Sequence, residues 1–273
     1  MIMLFLKKSG ATLLVLLLSG CFGSESADTD SAKKLKSSLS QNVSVQHETV
    51  VLDKRLVLVE TAGLLQKKIS IVKLMEQYVE PKLVDLNTGL FIDDADRLAG
   101  YDAELSRTDP TQSVALTQAD DHAGLKRRES VAKVFLIKND HGKGAYDRVV
   151  LPVRAFGKFS MLHGYLALNL DDMTISGLGF YQHAETPGLG GNITDDPEWT
   201  QQFTGKQIFK HEKPDFQVVM NHSEISDAYS VDGISGATLT SQGVQNALNF
   251  WCGEQGFGPF LHNLKSLQHS HSG

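Results

Sequence analysis

The stretch from residue 131 to residue 182 limits the possible folds more than any other. Its segments "VAKVFLIKND", "YDRVVLPVRAF" and "MLHGYLALNLDDMTISGLGFYQ" are rich in Val, Leu, Phe and Tyr, and only the Gly-bearing "DHGKGA" and the pair Asp171-Asp172 interrupt them. Strands joined by such short connections cannot cross over, so they pair antiparallel with their neighbours. Further along, "PDFQVVMNH" and "AYSVDGIS" add short strands.

Helical spacing appears on either side of this block. In "VVLDKRLVLVETAGLLQKKISIVKLMEQYVEPKLVDLNTG", apolar residues fall at Leu56, Val59, Leu64 and Leu65, and again at Ile71, Leu74, Met75, Tyr78 and Val79, the second set stopping before Pro81. One or two helices are predicted there. A second helical region follows Thr240-Ser241, which are read as its cap, with an apolar face of Val244, Ala247, Leu248 and Trp251. Residues 93–130 are polar and punctuated, and are expected to run over the surface. The fold class is therefore α+β, a mainly antiparallel sheet flanked by helices.

The N-terminal segment has a different character. Lys7-Lys8, an apolar run from Ala11 to Leu18 and then Ser19-Gly20-Cys21 follow the order of a secretory signal. Leu18-Ser19-Gly20-Cys21 resembles a bacterial lipobox, which would make Cys21 the lipidated first residue of the mature chain; the alternative is an uncleaved anchor starting at Met1 with its lysines snorkelling to the interface. Both readings export the chain and tether it to a membrane. Residues 22–50, rich in Ser, Lys, Asp and Gln, form a tether; residues 51–266 are the body and 267–273 a tail. The formal net charge of -6 provides no broad basic field for nucleic acid. Cysteine occurs only at Cys21 and Cys252, which excludes a disulfide scaffold and a four-cysteine cluster. His269 and His271 in the tail "HSHSG" are read as solvated, and no metal site is expected.

The pentapeptide SGATL occurs twice, at Ser9–Leu13 inside the signal and at Ser235–Leu239. In the second copy a strand passes through Gly233 and Gly236 into a helix, leaving free backbone N–H groups at the helix start. Such an arrangement binds anions, phosphate above all, and Thr238 places a hydroxyl beside that position. An ordinary capped turn has the same local pattern. Gly233-Ile234-Ser235-Gly236-Ala237 also approaches the G-x-S-x-G elbow of serine hydrolases, with Ser235 as nucleophile, but its last position is Ala. Downstream lie only Glu254, His262 and the tail histidines to complete a triad. The loop "ETPGLGG" lacks the third glycine of a dinucleotide fingerprint. Its uncharged stretch suits the covering of an apolar ring, with Leu189 as the contact.

"DGISGAT" resembles the flavinylation motif of FMN-binding domains, Asp-x-x-Ser/Thr-Gly-Ala-Ser/Thr. Together with "FYQHAETPGLGG", "EPKLVDLNTG" and "QNALNFWCGEQGFGPFLHNLK", the chain from about residue 50 to 266 is similar to the NqrC subunit of the bacterial sodium-translocating NADH:quinone reductase; a subunit of the related Rnf complex shares the motif. The resemblance implies an FMN covalently bound through its phosphate to Thr238, within a recognition sequence of Asp232, Gly233, Ser235, Gly236 and Ala237. Leu239 and Thr240 lie beside it, and Glu185, Thr186, Gly188 and Leu189 match the loop near the flavin ring. It further implies an FAD-dependent flavin transferase for maturation, other reductase subunits as partners, electron relay coupled to sodium export, and an FMN domain facing the periplasm from the inner membrane. An Rnf-type or stand-alone lipoprotein carrier is the alternative. The family's long N-terminal transmembrane helix has a lipobox-like signal in its place here.

Overall fold

The computed structural model describes residues 48–139, 146–220 and 227–270. Residues 1–47, with Cys21, and residues 140–145, 221–226 and 271–273 lie outside the described residues. In chain order the elements are β1 (Val50–Val51), α1 (Lys54–Thr61), α2 (Ile71–Tyr78), β2 (Val79–Asp85), β3 (Leu90–Ile92), α3 (Ala95–Ala99), α4 (Ala103–Thr108), β4 (Ser113–Ala115), β5 (Arg127–Glu129), β6 (Val131–Lys138), β7 (Tyr146–Phe156), β8 (Met161–Asn169) and β9 (Ile175–His183). Then come α5 (Asn192–Asp195), α6 (Pro197–Gln201), β10 (Phe209–Lys210), β11 (Lys213–Pro214), β12 (Gln217–Val219), β13 (Ser230–Asp232), α7 (Thr238–Cys252) and α8 (Gly258–Ser270).

Strands β6 to β9, expected from the sequence, form the centre of a seven-stranded sheet of order β1-β9-β8-β7-β6-β2-β3. Every pairing in it is antiparallel. Side chains alternate across the sheet, so one strand serves two cores. On one face Leu151, Val153, Ala155, Leu162 and Leu166 pack with Val244, Ala247, Leu248 and Trp251 of α7. On the other, Val150, Tyr165 and Ala167 pack with Val57 and Leu58 of α1 and Leu74 of α2. Coverage on both faces explains why β8 is buried at all positions but its ends.

Two helices replace the "one or two" expected before Pro81, and α2 does end at Tyr78, with Ser70 capping it through Lys73 N at 3.4 Å. The polar excursion at 93–130 holds more structure than its composition suggested. Asp94 and Asp102 each accept amide hydrogens and so start α3 and α4, and β4 pairs with β5. The strands around residues 217 and 230 were legible, and they pair in parallel, Val218 opposite Val231. That pair carries the chain into α7.

Candidate functional site

The path into α7 is fixed by hydrogen bonds on both sides. Gly233 N donates to Val219 O at 2.7 Å, extending the parallel pair by one residue. Trp199 Nε1 donates to Asp232 O at 2.8 Å, and Gln202 Oε1 accepts from Asp232 N at 3.2 Å. Ile234 N then donates to Ser241 Oγ at 3.0 Å, folding the Ile234–Ala237 turn back against the helix. Gly236 has a φ of +74°, and a Cβ there would lie 3.0 Å from Leu189 Cδ2, so the turn and the 185–191 loop meet at a residue without a side chain.

The helix start differs from the expected one. Thr240 and Ser241 are not the cap: Ala237 occupies that position with no side-chain hydrogen bond, and Thr238 is the first helical residue. The first intrahelical bond runs from Ser241 N to Ala237 O at 2.9 Å, which leaves the amides of Thr238, Leu239 and Thr240 without helical acceptors. Thr238 and Leu239 are exposed. A fifteen-residue helix thus presents a hydroxyl, free amides and the positive end of its dipole to solvent at one point.

Thr240 is instead held by a carboxylate 55 residues away in sequence, donating its hydroxyl to Glu185 Oε2 at 2.6 Å. Glu185 is 1% exposed and also accepts from Lys158 N (3.1 Å), Phe159 N (3.0 Å), Ser160 N (3.1 Å) and Ser160 Oγ (3.3 Å). Burial pushes this carboxyl up, but the Thr240 hydroxyl and the amides of the 157–160 turn outweigh it and hold it below the ordinary glutamate value. Behind it, Glu185 N donates to His183 Nδ1 at 3.1 Å, and His183 Nε2 meets Thr194 Oγ1 at 3.0 Å. A Cβ on Gly190 would fall 2.4 Å from Thr240 Oγ1 and 2.9 Å from Glu185 Oε2, so only glycine lets the loop close over this pair.

The structure therefore brings the two sequence-derived segments together, the 185–191 loop and the 232–241 turn. Thr186 O accepts from Leu189 N at 3.1 Å and Gly191 N at 2.9 Å, and Gly188 takes a φ of +72°, so the loop is a tight turn that lifts Leu189 to 39% exposure. The sequence did not mark the 157–160 turn as part of the site. The available signal was the carboxylate itself: a lone charge among "HAETPGLGG" that the fold buries has to find donors. Ser235 is exposed and has no hydrogen bond to a histidine among the described residues, so the hydrolase elbow lacks its base. No group of three metal-ligating side chains occurs among the described residues.

Known proteins share this layout. The family model for the FMN-binding domain matches residues 157–253, which run from the turn beneath Glu185 to the end of α7. The NqrC subunit of the Na(+)-translocating NADH-quinone reductase of Vibrio vulnificus strain YJ016 is 41% identical over 221 residues, covering 81% of this chain and 84% of that one. The chain belongs to the NqrC family of Na(+)-translocating NADH-quinone reductase subunits. The Yersinia pestis NqrC subunit is 39% identical over 224 residues, covering 81% of this chain and 82% of that one. The crystal structure of Shewanella oneidensis NqrC matches with a TM-score of 0.68 at 34% identity, covering 78% of this chain and 98% of that one. The antiparallel sheet with flanking helices is thus this family's fold. No helix among the described residues is long and apolar enough to cross a membrane.

The residues present suit FMN. An exposed hydroxyl beside free amides fits the phosphate, and the exposed side chains of Leu189, Leu239 and Phe159 belong to three segments that meet at Glu185 and Thr240, where an apolar ring needs contact.

Proposed function

We propose that this protein carries one FMN esterified through its phosphate to Thr238 Oγ1, and that it relays electrons within a membrane-bound Na(+)-translocating NADH:quinone oxidoreductase. The observation that carries this reading is the exposed Thr238 hydroxyl at the first position of an uncapped helix. When bound, FMN supplies the means to accept and release electrons one at a time. The chain's own residues do the rest. The amides of Thr238 and Leu239 and the α7 dipole stabilise the phosphate's negative charge. Asp232, Gly233, Ser235, Gly236 and Ala237 shape the turn that a separate FAD-dependent flavin transferase reads. Glu185 clamps the loop, so that Thr186, Gly188 and Leu189 present a fixed apolar edge.

Family membership supports assembly with other reductase subunits over the Rnf-type or stand-alone alternative. The first SGATL copy, with Thr12, lacks the Asp232-Gly233 flank and lies in the apolar signal, so it receives no flavin. The FMN domain faces the periplasm, and lipidated Cys21 anchors the chain. Mass spectrometry of the mature protein tests the anchor, since an intact Met1 or an unmodified Cys21 overturns it. Tryptic peptide mapping tests the flavin: the FMN mass should ride on the peptide containing Thr238 and on no other.

A further inference from the structure

A second cluster of charge shares no residue with the flavin site. Arg107, Lys126, Arg127, Arg154 and His163 line one cavity of 380 Å³, and no carboxylate lines it. Leu125 and Met161 supply an apolar wall. In a chain of net charge -6, such a concentration of cations stands out.

Each cation is held in place by identifiable contacts. Arg154 makes a bidentate pair with buried Glu129, at 2.9 and 2.6 Å, and its guanidinium lies 4.8 Å from the centre of the Trp251 ring. Arg107 pairs with Glu104. Arg127 donates only to neutral acceptors, Ser113 Oγ at 2.9 Å, Ser113 O at 2.7 Å and Pro110 O at 3.5 Å, so no carboxylate is bonded to it. Lys126 forms no ion pair among the described residues and has a φ of +63°, a left-handed conformation costly for a lysine. Both oxygens of Asp121 enforce it, taking the amides of Leu125 and Lys126 at 2.7 Å each.

His163 adds a polar ring to the same wall. It is 8% exposed, it lines the cavity, and its ring nitrogens have no hydrogen bond among the described residues. The ring stacks on Tyr181, with centroids 6.1 Å apart, and its nitrogens remain open to the cavity. Burial, then Arg107, Arg154 and Lys54, lower its pKa to about 4, so the ring is neutral and keeps one N–H to donate. Arg107 is depressed too, by burial and then by Arg154. Burial is the larger cause of both, and the neighbouring cations add a positive potential that an anion would relieve.

We infer that this cavity binds a phosphate group, with Lys126 and Arg127 supplying the two unpaired charges, Arg107 and Arg154 supporting them, and the His163 N–H as a further donor. Two unpaired cations suit a phosphate dianion better than a single carboxylate. The apolar wall and the volume leave room for an organic substituent, so the phosphate is either free or the headgroup of a lipid.

The test is a titration of the full-length, FMN-loaded protein, following the His163 ring resonances by NMR, assigned by their absence in His163→Phe. Inorganic phosphate, dihexanoyl phosphatidylglycerol and dihexanoyl phosphatidylcholine are added separately. Saturable shifts of His163 with phosphate at least as strong as with the phosphatidylglycerol establish a free-phosphate site. Binding of the phosphatidylglycerol roughly tenfold tighter than phosphate, with no response to phosphatidylcholine, establishes a headgroup site. In either case Lys126→Gln with Arg127→Gln should weaken binding by about tenfold or more. The exposed single variant Lys126→Gln, which disturbs no side-chain contact, should weaken it several-fold. No shift at His163, shifts confined to the Thr238–Thr240 amides, or unchanged affinity in folded variants would overturn the proposal.

Discussion

Thr238 and Thr240 sit in the same turn of α7 and have opposite surroundings. Thr238 is exposed, while Thr240 is 0% exposed and its hydroxyl is committed to a buried carboxylate. The contrast separates two tasks within one short segment. A modifying enzyme needs a reachable hydroxyl, and a reachable hydroxyl cannot also hold the loop. Two residues on, the chain assigns the holding to a side chain that nothing outside can reach.

The largest expected effect is on the exposed member. Thr238→Ala should remove all covalent flavin, read as loss of fluorescence from the denatured band, with little change in folding stability because the side chain is exposed. Fluorescence that survives denaturation would break the comparison at its first term.

Next comes the carboxylate beneath. Glu185→Gln should cost about 2–4 kcal/mol in urea unfolding, since several charge-assisted bonds weaken together in a buried place. Its folded pKa lies below the unfolded value of 4.5, so its stabilisation is present above that value and is lost as pH falls through the lower folded pKa. The Gln variant should therefore lose less stability than the parent on acidification below pH 4.5. A parallel decline in both proteins would place the acid sensitivity elsewhere.

Gly190→Ala should cost about 1–3 kcal/mol by forcing a methyl against Thr240 Oγ1 and Glu185 Oε2. Thr240→Ala should cost about 1–2 kcal/mol and keep the ester. Because both act at one contact, the double variant should lose less than the sum, and strict additivity would deny the contact. Leu189→Ala, at the exposed rim, should change stability by under about 0.5 kcal/mol. Its signature is a shift in flavin potential and spectrum with FMN still attached; loss of flavin would instead place the loop in recognition by the transferase.

The same contrast explains what the sequence disclosed. Strands β6 to β9 and the buried face of α7 were legible because their periodicity is local, and the meeting of the 185–191 loop with the SGAT turn followed from motif resemblance. The cap was misassigned for a physical reason: a Thr-Ser pair before an apolar run has the composition of a cap, but Glu185 recruits the Thr240 hydroxyl and Ser241 Oγ turns back to Ile234 N. Neither partner is visible in local pattern. The parallel pairing of β12 with β13 was likewise hidden, since strand composition fixes existence and not direction. The His163 cavity was missed because its lining comes from α4, Lys126 and β5, β7 and β8, and converges only in the fold.

Strand β1 gives the molecule a mechanical weak link. It is two residues long and joins the sheet by pairing Val50 with His183 and Val51 with Gln182, followed by Leu52 N to Tyr181 O at 2.8 Å. Tension applied at the N-terminal end loads this ladder first, and so few bonds part before any of the longer strands slide. While it holds, the load enters β9 at His183, the residue whose ring steadies Glu185 from behind. β1 thus makes the chain's entry into the body a short ladder on the very strand that leads into the 185–191 loop.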